Sequence, residues 1–127
     1  MKTYEGLRFS KDHEWVRQEG GKVYVGITNY AQLQLGDIVF VELPKKGAKL
    51  AAGDALGVIE SVKAASDVFS PVSGVVADIN GELTDEPEKL NREPYESWLA
   101  ALEYVDAGEL AGLMDEEAYG KYCTGEG

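Results

Sequence analysis

One lysine in this sequence has neighbours that would suit it to covalent modification. Lys63 stands in the segment Glu60-Ser61-Val62-Lys63-Ala64-Ala65-Ser66-Asp67, between apolar runs at 55–59 and 68–72. Two apolar runs separated by a short break of small residues are typical of a β-hairpin. The pattern therefore predicts an exposed amine at a hairpin tip. An acyl group on that amine would become a tether, although an ordinary solubilising lysine would show the same local pattern.

Other residues that could do chemistry are few. The chain has one histidine, His13, and one cysteine, Cys123, which exclude a multi-histidine zinc site and an internal disulfide. It has no glycine-rich phosphate loop and no Gly-x-Ser-x-Gly motif. This inventory disfavours an enzyme that acts through its own side chains. It leaves open a protein that presents a tethered cofactor.

The charge balance excludes another class of function. The 127 residues carry a formal net charge of −11, from 12 basic and 23 acidic side chains. Such a surface repels phosphate backbones and disfavours nucleic-acid binding, but it can steer the protein to basic patches on other proteins. No apolar run is long enough to predict a membrane span. The N-terminal residues lack the features of a leader, so we expect a cytosolic protein, or one already processed.

The spacing of apolar residues predicts a single β-rich domain, 1–127. Short strand-like runs alternate with turns every eight to twelve residues, which is typical of a sandwich or barrel. A short helix is predicted over 30–35, with Thr28 or Asn29 as its N-cap. Another is predicted from Asp85 to Leu90, and a C-terminal helix begins after a capping box at 106–109 and breaks near residue 115. The run 98–105 is interpreted as a strand.

Several short motifs stand in a defined order and spacing along residues 7–122. They are Ser10-Lys11-Asp12-His13-Glu14-Trp15, Val25-Gly26-Ile27-Thr28, Tyr30-Ala31-Gln32, Leu35-Gly36-Asp37, Val39-Phe40-Val41-Glu42-Leu43-Pro44, the segment 60–67, Pro71-Val72-Ser73-Gly74, Asn91 and Pro94-Tyr95. Each motif alone is short, but the series is highly specific. In order and spacing it resembles the motifs of the glycine cleavage system H-protein.

The resemblance implies a mainly β, lipoyl/biotinyl-type hammerhead sandwich of two antiparallel sheets with short helices, one of them C-terminal. It implies a non-catalytic carrier with lipoate attached covalently to Lys63 as lipoyl-lysine. Glu60 matches the acidic residue that the lipoate ligase recognises. Asp12, Glu14 and Asp67 match the polar cleft that holds the aminomethyl-bearing arm. No catalytic or metal-binding residue is implied.

The family's function implies the partners. Glycine decarboxylase (P-protein) places the aminomethyl group of glycine on the arm, and aminomethyltransferase (T-protein) passes the one-carbon unit to tetrahydrofolate. Dihydrolipoyl dehydrogenase (L-protein) reoxidises the arm, and a lipoate ligase or lipoyltransferase attaches it. We expect a monomer with no nucleic-acid or membrane partner, in the cytoplasm, or in the mitochondrial matrix if the chain is a processed eukaryotic one.

Three alternatives remain open on the sequence. A lipoyl-relay or sulfur-metabolism lipoate-binding protein of H-protein type would show the same motifs. A biotin carrier normally has methionines beside its lysine, and Val62 and Ala64 disfavour it. An unmodified β-sandwich is the third. The chain also departs from the family pattern at Asp12, where serine is common, and in a shortened turn before Trp98.

Overall fold

Two antiparallel sheets form most of the structure, as the sequence predicts. The computed structural model describes residues 6–125, so the N-terminal residues 1–5 expected to lack a leader lie outside the described part. The larger sheet has six strands in the order β1-β2-β3-β9-β8-β5, and the smaller has three in the order β4-β6-β7. The strands are β1 (Arg8–Phe9), β2 (Glu14–Glu19), β3 (Lys22–Ile27), β4 (Ile38–Glu42), β5 (Lys49–Leu50), β6 (Ala55–Ser61), β7 (Ala65–Phe69), β8 (Gly74–Ile79) and β9 (Ala100–Glu103).

Five short helices connect or flank the strands. They are α1 (Asn29–Leu35), α2 (Glu82–Asp85), α3 (Lys89–Arg92), α4 (Ala107–Ala111) and α5 (Glu116–Cys123). Thr28 caps α1, because its hydroxyl accepts a hydrogen bond from the Ala31 N–H. The helix ends at Gly36, whose φ of +80° favours glycine. The predicted cap and end of this helix are confirmed.

Two helix-capping predictions are wrong in detail. Asp85 does not begin a helix but is the last residue of α2, and α3 begins only at Lys89. Asp106 caps α4 as predicted, but Glu109 does not complete a capping box. Its carboxylate instead accepts hydrogen bonds from the backbone N–H and the hydroxyl of Ser73. The Glu109 side chain, which the local sequence assigns to the start of α4, therefore bonds a residue distant in the chain instead.

The main core lies between the two sheets. Alternate residues of the strands point inward. Burial of their apolar surface between the sheets provides most of the stabilisation of a sandwich. The buried apolar residues of this cluster are Val16, Val23, Val25, Ile27, Ile38, Val41, Leu56, Ile59, Val68, Val72, Val76, Leu83, Leu90, Leu99, Ala100 and Leu102. Both sheets contribute, so the position of the smaller sheet is fixed by packing against the larger one.

A second cluster joins α5 to the N-terminal strands. Trp15 is fully buried, and its indole N–H donates to the Pro94 carbonyl at 3.0 Å. The ring of Phe9 stacks on that of Tyr119 with centroids 4.5 Å apart. These contacts hold β1 against the C-terminal helix and the start of β2 against the loop at Pro94.

The β6–β7 hairpin carries the predicted attachment lysine. Its strands pair antiparallel, with Glu60 opposite Ala65 and Val58 opposite Asp67. The Ser61 N–H donates to the Ala64 carbonyl at 2.8 Å and closes a four-residue turn. Lys63 lies in that turn, exposed to solvent. The predicted hairpin and the position of the lysine at its tip are confirmed.

Within residues 6–125, no helix combines the length and the hydrophobicity needed to cross a bilayer.

Gly26 provides a test of the packing that holds β2. A Cβ atom added at Gly26 would lie 2.5 Å from the ring of Trp15. Because the indole is buried on all sides, Gly26→Ala should lower the free energy of unfolding by about 1–3 kcal/mol. Urea denaturation followed by tryptophan fluorescence measures the change. Gly81→Ala is the matched control, since a Cβ there meets nothing within 4 Å. An unchanged midpoint for Gly26→Ala would show that Trp15 is not packed in this way.

Candidate functional site

A cleft of about 210 Å³ opens beside the hairpin. It lies between the turn that precedes β2, one face of α1 and the return strand β7. Its lining is mixed, with apolar walls and carboxylates. The lining residues are Asp12, His13, Glu14, Ile27, Tyr30, Ala31, Gln34, Leu35, Ile59, Ser66, Asp67 and Val68.

The structure places three of the predicted site residues in this one cleft. Asp12 and Glu14 come from the N-terminal turn and strand, and Asp67 comes from β7, more than fifty positions later. Asp12 and Asp67 are exposed, whereas Glu14 is buried. The cleft thus has carboxylates that face water and one that does not. A group that binds there and displaces water would meet negative charge or hydrogen-bond acceptors.

Glu14 is the most constrained carboxyl of the cleft. It is only 3% exposed. One oxygen accepts from the Ser10 hydroxyl at 2.5 Å, and the other accepts from the Phe69 backbone N–H at 3.2 Å. Burial raises its pKa to about 7, and the two hydrogen bonds offset only part of that rise. Glu14 therefore changes its charge near neutral pH, and it links the larger sheet to the hairpin.

His13 is held by aromatic neighbours. Its ring stacks on Tyr30 with centroids 4.2 Å apart, and Nδ1 hydrogen-bonds the Tyr119 hydroxyl at 2.7 Å. That hydroxyl also lies 2.7 Å from the Thr28 hydroxyl. Burial lowers the pKa of His13, so the ring is neutral at pH 7.

The residues that sequence reasoning missed are Ser10, Tyr30 and Tyr119. Tyr119 lies 106 positions from His13, and no local pattern predicts that contact. Burial raises the pKa of its hydroxyl, which is therefore protonated at neutral pH. Ser10 carried a usable signal, because a serine four residues before a glutamate can reach its carboxyl across a turn.

Lys63 does not line the cleft. Its side chain runs past the end of α1, so a Cβ built on Gly36 would lie 3.4 Å from its Cε. Asp67 stands four residues further along the chain, which in an extended strand spans about 13 Å. A tether on Nζ would reach Asp67 by folding back along β7.

Glu60 lies on the hairpin, apart from the cleft. It is exposed and stands opposite Ala65 on β7 and Phe40 on β4. It is therefore separated from Asp12, Glu14 and Asp67, and it lies closer in the chain to the lysine. The predicted site residues therefore form two groups. Glu60 lies near Lys63 and the hairpin tip, whereas Asp12, Glu14 and Asp67 line the cleft.

Comparison with known proteins assigns this arrangement to a family. Residues 7–126 match the family described as "Glycine cleavage H-protein". The glycine cleavage system H protein of Thermoanaerobacter sp. (strain X514) is 54% identical over 126 residues, 99% of this chain and 100% of that protein. That of Alkaliphilus oremlandii (strain OhILAs) is 51% identical over 126 residues, 99% of each. The crystal structure of a glycine cleavage system H protein from Mycobacterium marinum superposes with a TM-score of 0.82 at 32% identity, covering 94% of this chain and 97% of that one.

A two-sheet fold, a lysine at a hairpin tip and an acidic cleft beside it are the features of a small carrier protein. With the match across nearly its whole length, the chain belongs to the glycine cleavage H-protein family. That family consists of non-catalytic lipoyl carriers, so membership implies a lipoyl cofactor and partners in glycine cleavage.

The raised pKa of Glu14 predicts a specific pH dependence. The folded protein binds this proton more tightly than the unfolded chain, whose glutamate has a pKa near 4.5. Stability from this group is therefore fully present below pH 4.5 and is lost as pH rises to about 7. The loss amounts to about 3 kcal/mol. Glu14→Gln removes it, so the stability of the variant relative to wild type should rise by that amount between pH 4 and pH 8.

Urea denaturation at several pH values measures this difference. Asp67→Asn is the control, because it retains Glu14 and should retain the wild-type slope. A Glu14→Gln variant whose stability tracks wild type at every pH would show that Glu14 titrates as in the unfolded chain.

Proposed function

We propose that residues 1–127 act as one lipoyl-carrier domain of the glycine cleavage system, with lipoate amide-linked to Nζ of Lys63. Family membership supports the carrier role. The observation that carries the proposal for this chain is the position of Lys63. It is exposed at the tip of a hairpin whose return strand brings Asp67 into the acidic cleft.

The residues around Lys63 fit a covalent tether. Its neighbour Ala64 is small, and the turn backbone is held by the Ser61 hydroxyl, which accepts from the N–H groups of Lys63 and Ala64, each at 3.2 Å. The Val62 N–H donates to the Asp37 carbonyl at 3.0 Å and ties the tip to β4. A ligase can therefore approach a free side chain on a backbone that does not have to rearrange.

A lipoyl group on Nζ of Lys63 would supply a disulfide, which would be reduced as it takes up the aminomethyl group of glycine and would be reoxidised by dihydrolipoyl dehydrogenase. The partners we propose are glycine decarboxylase, aminomethyltransferase and dihydrolipoyl dehydrogenase, with a lipoate ligase or lipoyltransferase for attachment. The protein contributes positioning and protection. This chemistry needs only a rigid anchor and a place for the charged end of the arm.

The cleft provides that place. Asp12 and Asp67 at its rim offer negative charge to an ammonium group, and the buried Glu14 offers an acceptor whose charge develops near pH 7. A carboxylate in a partly dry cleft attracts a cation more strongly than the same carboxylate in water. Apolar lining from Ile59 and Val68 keeps water away from a bound amine.

The surface charge suits a carrier that must visit several enzymes. A net charge of −11 attracts basic patches on larger proteins and accelerates encounter without requiring tight binding. We propose a monomer that acts in the cytoplasm and whose rate of association with its partners falls as the salt concentration rises.

Lys63→Arg tests the attachment site. Arginine keeps the positive charge but cannot form the amide, so the variant should fold with wild-type stability and carry no lipoyl group. Expression with a lipoate ligase followed by peptide mass spectrometry measures the modification. Lys49→Arg, on β5, is the matched control and should remain fully lipoylated at Lys63.

A wild-type chain that is lipoylated at another lysine, or that is not lipoylated at all, would contradict the proposal. Loss of folding in Lys63→Arg would instead reveal a structural role for the lysine.

A further inference from the structure

An apolar patch lies on the hairpin that carries the predicted lipoyl lysine and on the neighbouring strand β4. Val62, next to Lys63, is 67% exposed, and Val39 and Phe40 on β4 are 57% and 46% exposed. Glu60 stands among them. We call Val39, Phe40, Glu60 and Val62 the tip patch.

A bulge in β4 places two consecutive side chains of this patch in solvent. Ile38 pairs with Ser61 and Phe40 pairs with Glu60, which leaves Val39 as an extra residue on β4. A regular strand would turn one of two consecutive side chains inward, whereas a bulge can expose both. Phe40 and Glu60 are direct cross-strand partners, so their side chains share one face of the sheet, with Cβ atoms about 5 Å apart.

Protection of the sheet edge does not explain this composition. β4 is an edge strand of the smaller sheet, and edges are usually protected by charged residues, by proline or by a bulge that twists away. Here the bulge exposes a valine and a phenylalanine beside a further exposed valine. Clustered apolar residues with a charge among them are typical of an interaction site.

The chemistry of attachment decides which partner needs this surface. The unprotonated Nζ attacks the carbonyl carbon of an activated lipoyl ester, thioester or mixed anhydride. The C–N bond forms, the bond to the activating group breaks, and the nitrogen loses its proton without any change of oxidation state. An enzyme that does this must bring its reacting carbonyl to Nζ itself, so its surface must cover the hairpin tip. Enzymes that act on the far end of the arm do not need to contact the hairpin tip, because the arm spans the distance between the tip and their reacting atoms.

We propose that the tip patch is the docking surface for the enzyme that acylates Lys63. The partner surface has an apolar socket that takes Phe40 and Val39 and a basic side chain that faces Glu60. The proposal rests on the proposed function, because it assumes that Lys63 is the lipoylated residue. It assigns Phe40 and Val39 as residues that determine recognition of this lysine.

Phe40→Ser in the full chain tests the proposal. An aromatic side chain at the centre of an interface contributes enough that its removal should lower kcat/KM for lipoylation of Lys63 about 30-fold. The assay uses a lipoate ligase with lipoate and ATP, and mass spectrometry of the Lys63 peptide follows the product. Tyr104→Ser is the matched control. Tyr104 is 83% exposed and follows β9 of the other sheet, and its loss should change kcat/KM less than about twofold.

Two further measurements separate docking from other causes. Acetylation of Lys63 by a small activated ester should proceed at the wild-type rate in Phe40→Ser, because the reagent needs no docking surface. If Phe40→Ser does not fold, Val39→Ser replaces it, with an expected decrease of about fivefold. Phe40→Ser that has been fully lipoylated by long incubation should react with glycine decarboxylase and glycine as wild type does.

The outcomes that overturn the proposal are distinct. Wild-type kcat/KM for lipoylation in a folded Phe40→Ser and Val39→Ser overturns the docking surface. An equal loss in the glycine decarboxylase reaction overturns its assignment to the acylating enzyme. A wild-type chain that is not lipoylated at Lys63 overturns the proposed function itself, whatever the variants do.

Discussion

The structure of the site depends on one buried carboxyl group. Glu14 accepts a hydrogen bond from Ser10 in its own turn and another from the backbone of Phe69 at the end of the hairpin. It therefore joins the larger sheet to the element that carries Lys63. Both β2 and β7 contribute carboxylates to the cleft, so this link joins two of its walls. A group that must lose its proton in a dry place destabilises the fold above neutral pH, and proteins accept such losses mainly where function needs them.

The proposed function needs a flexible tether on a rigid hairpin. The tether proposed at Lys63 needs a rigid anchor, which the hairpin would supply through the turn at 61–64 and the hydrogen bond from Val62 to Asp37. Asp67, which lines the cleft, lies about 13 Å along the strand from Lys63. The proposed tether on Lys63 would meet this carboxylate by folding back along β7.

Much of this arrangement could be predicted from the sequence. Alternating apolar runs predict the strands, and the small residues around Lys63 predict the turn at the tip. The capping residues Thr28 and Asp106 act locally, so their positions are correctly predicted. The contacts that the sequence does not predict are those between residues far apart in the chain. Glu109 binds Ser73 and Tyr119 binds His13, and nothing near either residue in the chain indicates its partner. The burial of Glu14 likewise follows from the meeting of two distant strands. The sequence places it on β2 but cannot show that β7 covers it.

The central claim is that Lys63 carries the group that glycine cleavage loads. The most direct measurement incubates the lipoylated protein with glycine decarboxylase and glycine labelled at its methylene carbon. The protein is then digested, and the label is located by peptide mass spectrometry. We expect label on the peptide that contains lipoylated Lys63, and its loss to tetrahydrofolate when aminomethyltransferase is added. A lipoylated Lys63 peptide that acquires no label would contradict this claim.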